Sequence, residues 1–275
     1  MRSADLHLHT THSDGVRTPS EVIDLAIDAG LRLIAISDHD SIEAFAEISA
    51  YAQERSLTLL PGVELSAGYR GADVHLLAYG FDPGNERIGE RLREFRRVRA
   101  SRGEAMVDRL HEIGVPVSRE RVRELCGEGA MGRPHVARAL VESGAVSSVE
   151  EAFQRYLGPG CAAWVDKARF EIGEAVELIH SGGGVTSLAH PTLLPDHRRL
   201  VPEILDLGVD AIEVIHPDVD KGSRRHYESL AARRGLLMTG GSDDHGFENR
   251  KTIGRFRVPD ERIAELLERI EHEAP

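Results

Sequence analysis

The chain has 275 residues, 41% hydrophobic and 29% charged, the balance of a globular protein long enough for one sizeable domain or two modest ones. A formal net charge of −12 argues against broad binding of a polyanion, which needs a basic face, and leaves open a small anionic substrate met by locally bound metals. No apolar run reaches bilayer length and no basic, apolar leader precedes the first motif, so a cytoplasmic protein is expected; with only Cys126 and Cys161, a disulfide scaffold is not.

The first feature in the chain is Asp5-Leu6-His7-Leu8-His9. In an extended strand residues two apart share a face, so His7 and His9 project together while Leu6 and Leu8 pack away. Alone the pair says little, because neutral imidazole is also an ordinary buried side chain. Thr18-Pro19-Ser20-Glu21 is a capping box with proline at the first helical position, and Val22, Leu25, Ala26 and Ala29 give a helix ending near Gly30 one apolar stripe. Leu33-Ile34-Ala35-Ile36 reads as a buried parallel strand that delivers Asp38 and His39. A helix over 41–55 and a strand over 57–60 lead to Pro61-Gly62-Val63-Glu64; Arg70-Gly71 is a turn, and 74–79 is a strand carrying His75. From about 86 to 164 the rhythm changes to helices alone, over 86–113, 118–126, 134–143 and 148–157, which points to an inserted helical subdomain. The alternation then resumes: a helix over 172–180, a strand over 184–188 ending at His190, a helix through Ile204, and a strand over 211–215. A helix over 223–233, a strand over 236–239 leading into Asp243-Asp244-His245, and a last helix over 260–271 close the chain. About seven strands alternating with helices favour a parallel α/β barrel over an open sheet. The barrel is expected over 1–85 and 165–275, the helical subdomain over 86–164.

His7, His9, Asp14, His39, Glu64, His75, His190, Asp243 and His245 nearly all fall at the carboxyl ends of expected strands, the face on which barrels build active sites. Six imidazoles and three carboxylates are too many for one tetrahedral ion and suit two or three metals sharing a bridging carboxylate. Three divalent ions against three carboxylates leave about +3, matching about −3 on a phosphate monoester dianion with a bound hydroxide; with two ions the surplus falls to about +1. The balance favours a phosphate ester over a neutral amide.

The successive motifs His7-x-His9, Ser13-Asp14-Gly15, Asp38-His39, Pro61-Gly62-Val63-Glu64, His75, Ala189-His190-Pro191 and Gly241-Ser242-Asp243-x-His245 resemble those of the PHP (polymerase and histidinol phosphatase) superfamily in order and spacing, along almost the whole chain. The resemblance implies a distorted (β/α)7 barrel with an inserted all-helical subdomain and two or three divalent metal ions, manganese, zinc or iron. It also implies hydrolysis of nucleotide phosphate esters: nucleoside 3′,5′-bisphosphates, 5′-AMP or the 5′ ends of short RNAs. By motif, His7, His9, Glu64 and Asp243 would hold one metal, with Glu64 bridging to a second held by His75 and His190. Asp14, His39 and His245 would hold the third. Asp244 stands where the family commonly has an aromatic residue, which leaves the shape of the pocket beside the ligands open.

Gly132-Arg133-Pro134-His135 opens a helix, so free backbone N–H groups and the Arg133 fork are suited to receive a phosphate; the resemblance implies that this motif, with Arg133 and His135, lies over the substrate. Lys167 and Arg169 are candidates for a second phosphate, against the ordinary reading of solvated loop charges. His216, ending a strand on the same face, is a candidate to line the pocket without binding metal. The basic run over 91–102 is interleaved with Glu90, Glu94 and Glu104, which reads as a solvated helix face with ion pairs and not as an extended nucleic-acid groove. The expected chemistry has no protein nucleophile: a hydroxide between two metals attacks phosphorus while Arg133 neutralises the phosphoryl oxygens, under a helical cap that excludes water. Histidinol phosphate is an alternative substrate. An amide or lactone, as in barrel amidohydrolases, is another, although no lysine ends an expected strand. A non-catalytic metal-binding module is the third.

Overall fold

Capping and patterning explain where the elements begin. The Glu21 amide donates to Thr18 Oγ1 at 3.4 Å and the Glu21 carboxylate accepts the Thr18 amide at 2.8 Å, so the box read from sequence closes in both directions. The computed structural model describes residues 3–127, 129–166, 170–247 and 252–273. In chain order its first half runs β1 (Ala4–Leu8), α1 (Pro19–Asp28), β2 (Leu33–Ile36), α2 (Glu43–Glu54), β3 (Thr58–Leu60), β4 (Gly62–Tyr69) and β5 (Ala72–Tyr79). Helices alone follow: α3 (Glu86–Glu112), α4 (Arg119–Cys126), α5 (Arg133–Glu142) and α6 (Val149–Ala152), which runs into a π-helical turn at Phe153–Leu157. The remainder is β6 (Phe170–Glu171), α7 (Ile172–His180), β7 (Val185–Leu188), α8 (His197–Leu205), β8 (Ala211–Ile215), α9 (Lys221–Arg234), β9 (Leu237–Gly240) and α10 (Asp260–Glu273).

The result is an α/β fold with two sheets. β1, β2 and β3 pair in that order, all parallel, and α1 and α2 lay Val22, Ile23, Ala26, Ala44 and Ile48 against Leu8, Ile34 and Ile36. The second sheet has the order β6-β4-β5-β7-β8-β9, and α7, α8 and α9 cover it with Val176, Ile179, Val201, Ile204 and Tyr227. Each fully buried aliphatic side chain in these layers contributes roughly 1.5–3 kcal/mol.

Alternation of strands and helices expects a parallel sheet throughout, and the second sheet departs from that. β4 and β5 are antiparallel, as are β5 and β7, while β7, β8 and β9 are parallel. The cause is local. Arg70 and Gly71 both take positive φ, +47° and +88°, which makes a two-residue turn whose twist suits a hairpin, and the chain returns beside itself. Glu64, Ser66 and His75 then share one face, because Ser66 sits opposite His75 in the register and Glu64 lies two residues along the strand.

Isolated backbone bridges, Leu8 to Asp244 and His39 to Glu64, join the two sheets at the ends that carry the histidines. Helices α3 to α6 gather Met106, Leu110, Val122, Val136, Leu140 and Leu157 into an apolar cluster of their own. Among the described residues no helix is long and apolar enough to cross a membrane.

Candidate metal centre

The pleat of β1 puts His7 and His9 on one face, buried, with ring centroids 5.2 Å apart. Glu64 arrives from β4 between them and the other imidazoles. Its Oε1 lies 2.9 Å from His75 Nδ1 and 3.1 Å from His190 Nε2. Its Oε2 lies 3.1 Å from His39 Nδ1 and 3.3 Å from Nε2 of both His7 and His9. Asp243 Oδ1 stands 3.0 Å from His9 Nε2 and 3.3 Å from His7 Nε2, its backbone held at φ +50° by an amide that donates to the His7 carbonyl at 2.8 Å. Asp14 closes the far side, with Oδ1 3.3 Å from His245 Nε2 and Oδ2 3.7 Å from His39 Nε2. All nine residues named from sequence therefore converge.

Buried carboxylates behind the cluster fix its loops. Asp38 accepts from the Thr10 amide at 2.7 Å and from the Thr10 and Ser13 hydroxyls at 2.6 Å, which shapes the loop carrying Asp14. Asp5 accepts from the Ser242 amide at 2.9 Å and the Gly254 amide at 3.1 Å, tying the loop after β9 to β1; burial pushes its carboxyl up to about 6 despite those bonds. Glu213, in the middle of β8, has one oxygen 3.0 Å from His7 Nδ1 and takes the His190 amide with the other at 2.7 Å. This partner fixes the ring orientation of His7 and leaves Nε2 facing the cluster.

The electrostatics favour cations. Burial would raise the carboxyls of Asp14, Glu64 and Asp243, but the surrounding imidazoles hold all three well below the usual carboxylate range. Burial likewise opposes charge on His245, yet Asp14 and Asp243 push it up to about 10, and Asp243, Glu213 and Glu64 raise His7 well above its ordinary value. His39 goes the other way, held well below its ordinary value by burial. Several buried atoms aimed into this volume have no hydrogen-bond partner among the described residues: His7 Nε2, His9 Nε2, His39 Nδ1, Asp14 Oδ1 and Asp243 Oδ1. Each of the sets His7, His9, Glu64, Asp243 and His9, Asp14, His39, His245 and His39, Glu64, His75 offers ligand atoms within 4.8 Å of one another. Unpaired imidazole nitrogens and carboxylate oxygens at that spacing fit manganese, zinc or iron, which take mixed nitrogen and oxygen donors.

The other expected contacts fall differently. Arg133, at the start of α5, lines a pocket of about 130 Å³ together with Asp14, His39 and His75. His135 does not line it: its Nδ1 accepts the Gly132 amide at 3.0 Å, its ring bonds the Ser13 backbone, and burial pushes its pKa down to about 4. Its place is to tie α5 to the loop of Asp14. His216 abuts the cluster, its ring centroid 5.4 Å from that of His190; its Nδ1 accepts the Asp218 amide at 3.1 Å and its Nε2 faces Asp243 Oδ2 at 3.3 Å. Lys167 and Arg169 lie outside the described residues. Asp244 is buried and turned away from the cluster, paired with Arg17 and the Thr252 hydroxyl. The aromatic ring beside the ligands comes instead from Phe247, parallel to His245 at a centroid distance of 5.8 Å. Glu213 and Phe247 were not singled out by sequence. A carboxylate inside the apolar strand Ala211–Ile215 was the available signal for the first, and nothing marked the second.

The chain is similar to several known proteins. The family model described as PHP domain matches residues 5–127. A 5′-3′ exoribonuclease of Haemophilus influenzae is 33% identical over 245 residues, 88% of this chain and 89% of that protein. A 3′,5′-nucleoside bisphosphate phosphatase of Chromobacterium violaceum is 34% identical over 250 residues, 89% and 88% respectively. A Bifidobacterium adolescentis crystal structure described as that of a metal-dependent phosphoesterase superimposes with a TM-score of 0.89 at 31% identity, covering 98% of this chain and 96% of that one.

Proposed function

The chain belongs to the PHP domain family, and from that premise we propose that this metal-dependent phosphoric ester hydrolase removes phosphate from nucleotides: nucleoside 3′,5′-bisphosphates, 5′-AMP or the 5′ ends of short RNAs. The observation that carries the reading is Glu64, whose two oxygens divide five imidazoles between them, His75 and His190 on one, His7, His9 and His39 on the other. A carboxylate so placed is suited to bridge two cations. In our reading His7, His9, Glu64 and Asp243 hold one ion, Glu64, His75 and His190 a second, and Asp14, His39 and His245 a third. Two relatives, a bisphosphate phosphatase and an exoribonuclease, support the substrate class.

When bound, divalent ions there supply Lewis-acid polarisation of phosphoryl oxygens and an activated water. The chain's own residues do the rest. Arg133, half-buried and stacked over the rings of Phe153 and Trp164, presents its guanidinium to phosphoryl oxygens in the same pocket as Asp14, His39 and His75. Glu213 keeps His7 in the tautomer that offers Nε2. Residues 86–164 act as a cap over the site, with an apolar cluster separate from those of the sheets, and 1–85 with 165–275 form a distorted (β/α)7 barrel whose seams are the bridges Leu8 to Asp244 and His39 to Glu64.

The test is an assay of metal-stripped and reconstituted protein on nucleotide phosphates, histidinol phosphate, and a panel of amides and lactones. Turnover is expected on the nucleotides, dependent on metal and lost in His9→Ala. Turnover confined to amides or lactones, or unchanged by His9→Ala, would overturn the reading.

A further inference from the structure

Strands β8 and β9 pair residue for residue as far as Glu213 opposite Thr239, but the next pair is Ile215 opposite Gly240, so β8 carries one extra residue across that step. Gly240 makes room for it: a Cβ there would lie 2.5 Å from Ile215 Cβ and 2.7 Å from the Ile215 carbonyl oxygen. In a regular strand Glu213 and His216 would point to opposite faces. The extra residue shifts the alternation and re-aims His216, so both side chains reach the same imidazoles. Glu213 has an oxygen 3.0 Å from His7 Nδ1, and the buried His216 ring has its centroid 6.0 Å from that of His7 and 5.4 Å from that of His190.

The two nitrogens of His216 meet different partners. Nδ1 accepts from the Asp218 amide at 3.1 Å and, because an amide only donates, the ring N–H is at Nε2. That nitrogen faces Asp243 Oδ2 at 3.3 Å, while Asp243 Oδ1 lies 3.0 Å from His9 Nε2 and has no hydrogen-bond partner among the described residues. The main chain of Asp243 is pinned by its amide on the His7 carbonyl. Its carboxylate is not fixed by that bond, since the last torsion of an aspartate is broad and is set by what the two oxygens meet. Resting on the reading of Asp243 as a metal ligand, we propose that His216 is a positioning residue: its Nε2–H holds Asp243 Oδ2 and so keeps Oδ1 turned toward the ion shared with His7, His9 and Glu64. His216 then does for a ligand carboxylate what Glu213 does for a ligand imidazole, without itself touching ion or substrate. A carboxylate released from it must be ordered by the ion instead, and the loss falls on metal affinity.

The test separates the two bonds of the ring. Asparagine puts its amide where Nδ1 stands, within reach of the Asp218 amide and short of Asp243; glutamine puts an amide nitrogen where Nε2 stands. Mn2+ is titrated into chelator-stripped wild type, His216→Asn and His216→Gln, and binding is followed by calorimetry and by chelator competition. In His216→Asn one class of ion should weaken about tenfold to a hundredfold while the others keep wild-type affinity, and His216→Gln should restore most of the loss. Wild-type affinity in His216→Asn, or an equal loss in both variants, as expected if the ring merely fills space at the end of β8, overturns the proposal. A second measurement needs no metal: in crystals of the stripped proteins the Asp243 carboxylate should have one orientation in wild type and His216→Gln and another in His216→Asn. If wild type binds no Mn2+ the metal reading fails, yet the crystals still read the contact, and an unturned carboxylate in His216→Asn rules it out.

Discussion

Glu213 shows how a single side chain outside the ligand set governs it. It sits 206 residues from His7 in sequence, yet its carboxylate lies 3.0 Å from His7 Nδ1 and its second oxygen holds the His190 amide. Burial would raise its pKa, but the charges of His7 and His216 lower it, so it stays ionised where it is needed. Glu213→Gln keeps the size and removes the charge. We expect metal affinity to fall about tenfold to a hundredfold, the usual cost of losing an outer partner of a ligand histidine, with far less effect on turnover at saturating metal. Chelator competition measures this directly, and an affinity equal to wild type would remove Glu213 from the site.

Among elements, the seam between β9 and β1 leaves no room for a side chain. A Cβ on Gly241 would lie 2.4 Å from His7 Cβ and 2.5 Å from the His7 amide nitrogen, so glycine there lets the loop that carries Asp243 pass against the strand that carries His7. Gly241→Ala must push those apart. Overpacking of this kind costs about 1–3 kcal/mol, and because the displaced strand bears a candidate ligand, denaturant stability and metal affinity should fall together. A loss of stability with metal affinity intact would show that the seam does not set the ligand positions. The hairpin of β4 and β5 is the counterpart on the other side: it exists because of the turn at Arg70 and Gly71, and it alone sets Glu64 and His75 on a common face.

At the scale of the whole molecule, metal and fold should be linked through protons. In the metal-free protein His245 is held at about 10, and His7 and His9 above their ordinary value, by the carboxylates around them. A raised imidazole pKa gives stability that is fully present below about 6.5 and is lost as pH rises toward the folded value. Each of those protons must leave before the nitrogen takes a metal, so loading at pH 7 should release protons and affinity should climb with pH. Metal at about 100 times its Kd adds about 2.7 kcal/mol to stability. The gap in melting temperature between loaded and stripped protein should therefore widen from pH 6 to pH 8. A calorimetric titration in buffers of different ionisation heat, with melting curves at both pH values, measures both; no proton release, or a narrowing gap, would contradict the linkage.

What the sequence determined by itself was local or carried by type and spacing: the capping box at Thr18, the two-residue period that pairs His7 with His9, the helical run after Glu86, and the nine candidate ligands, each legible because an acid or imidazole just after an apolar strand has few structural reasons to be there. What only the tertiary structure decided was pairing at a distance. The antiparallel course of β4 and β5 depended on two backbone angles, the partners of His135 and His216 on which backbone amides folding brought to their nitrogens, and the burial of Asp244 on meeting Arg17 and Thr252. Glu213 belongs with these, because a lone charge on a strand acquires a role only from the side chains that folding brings to face it.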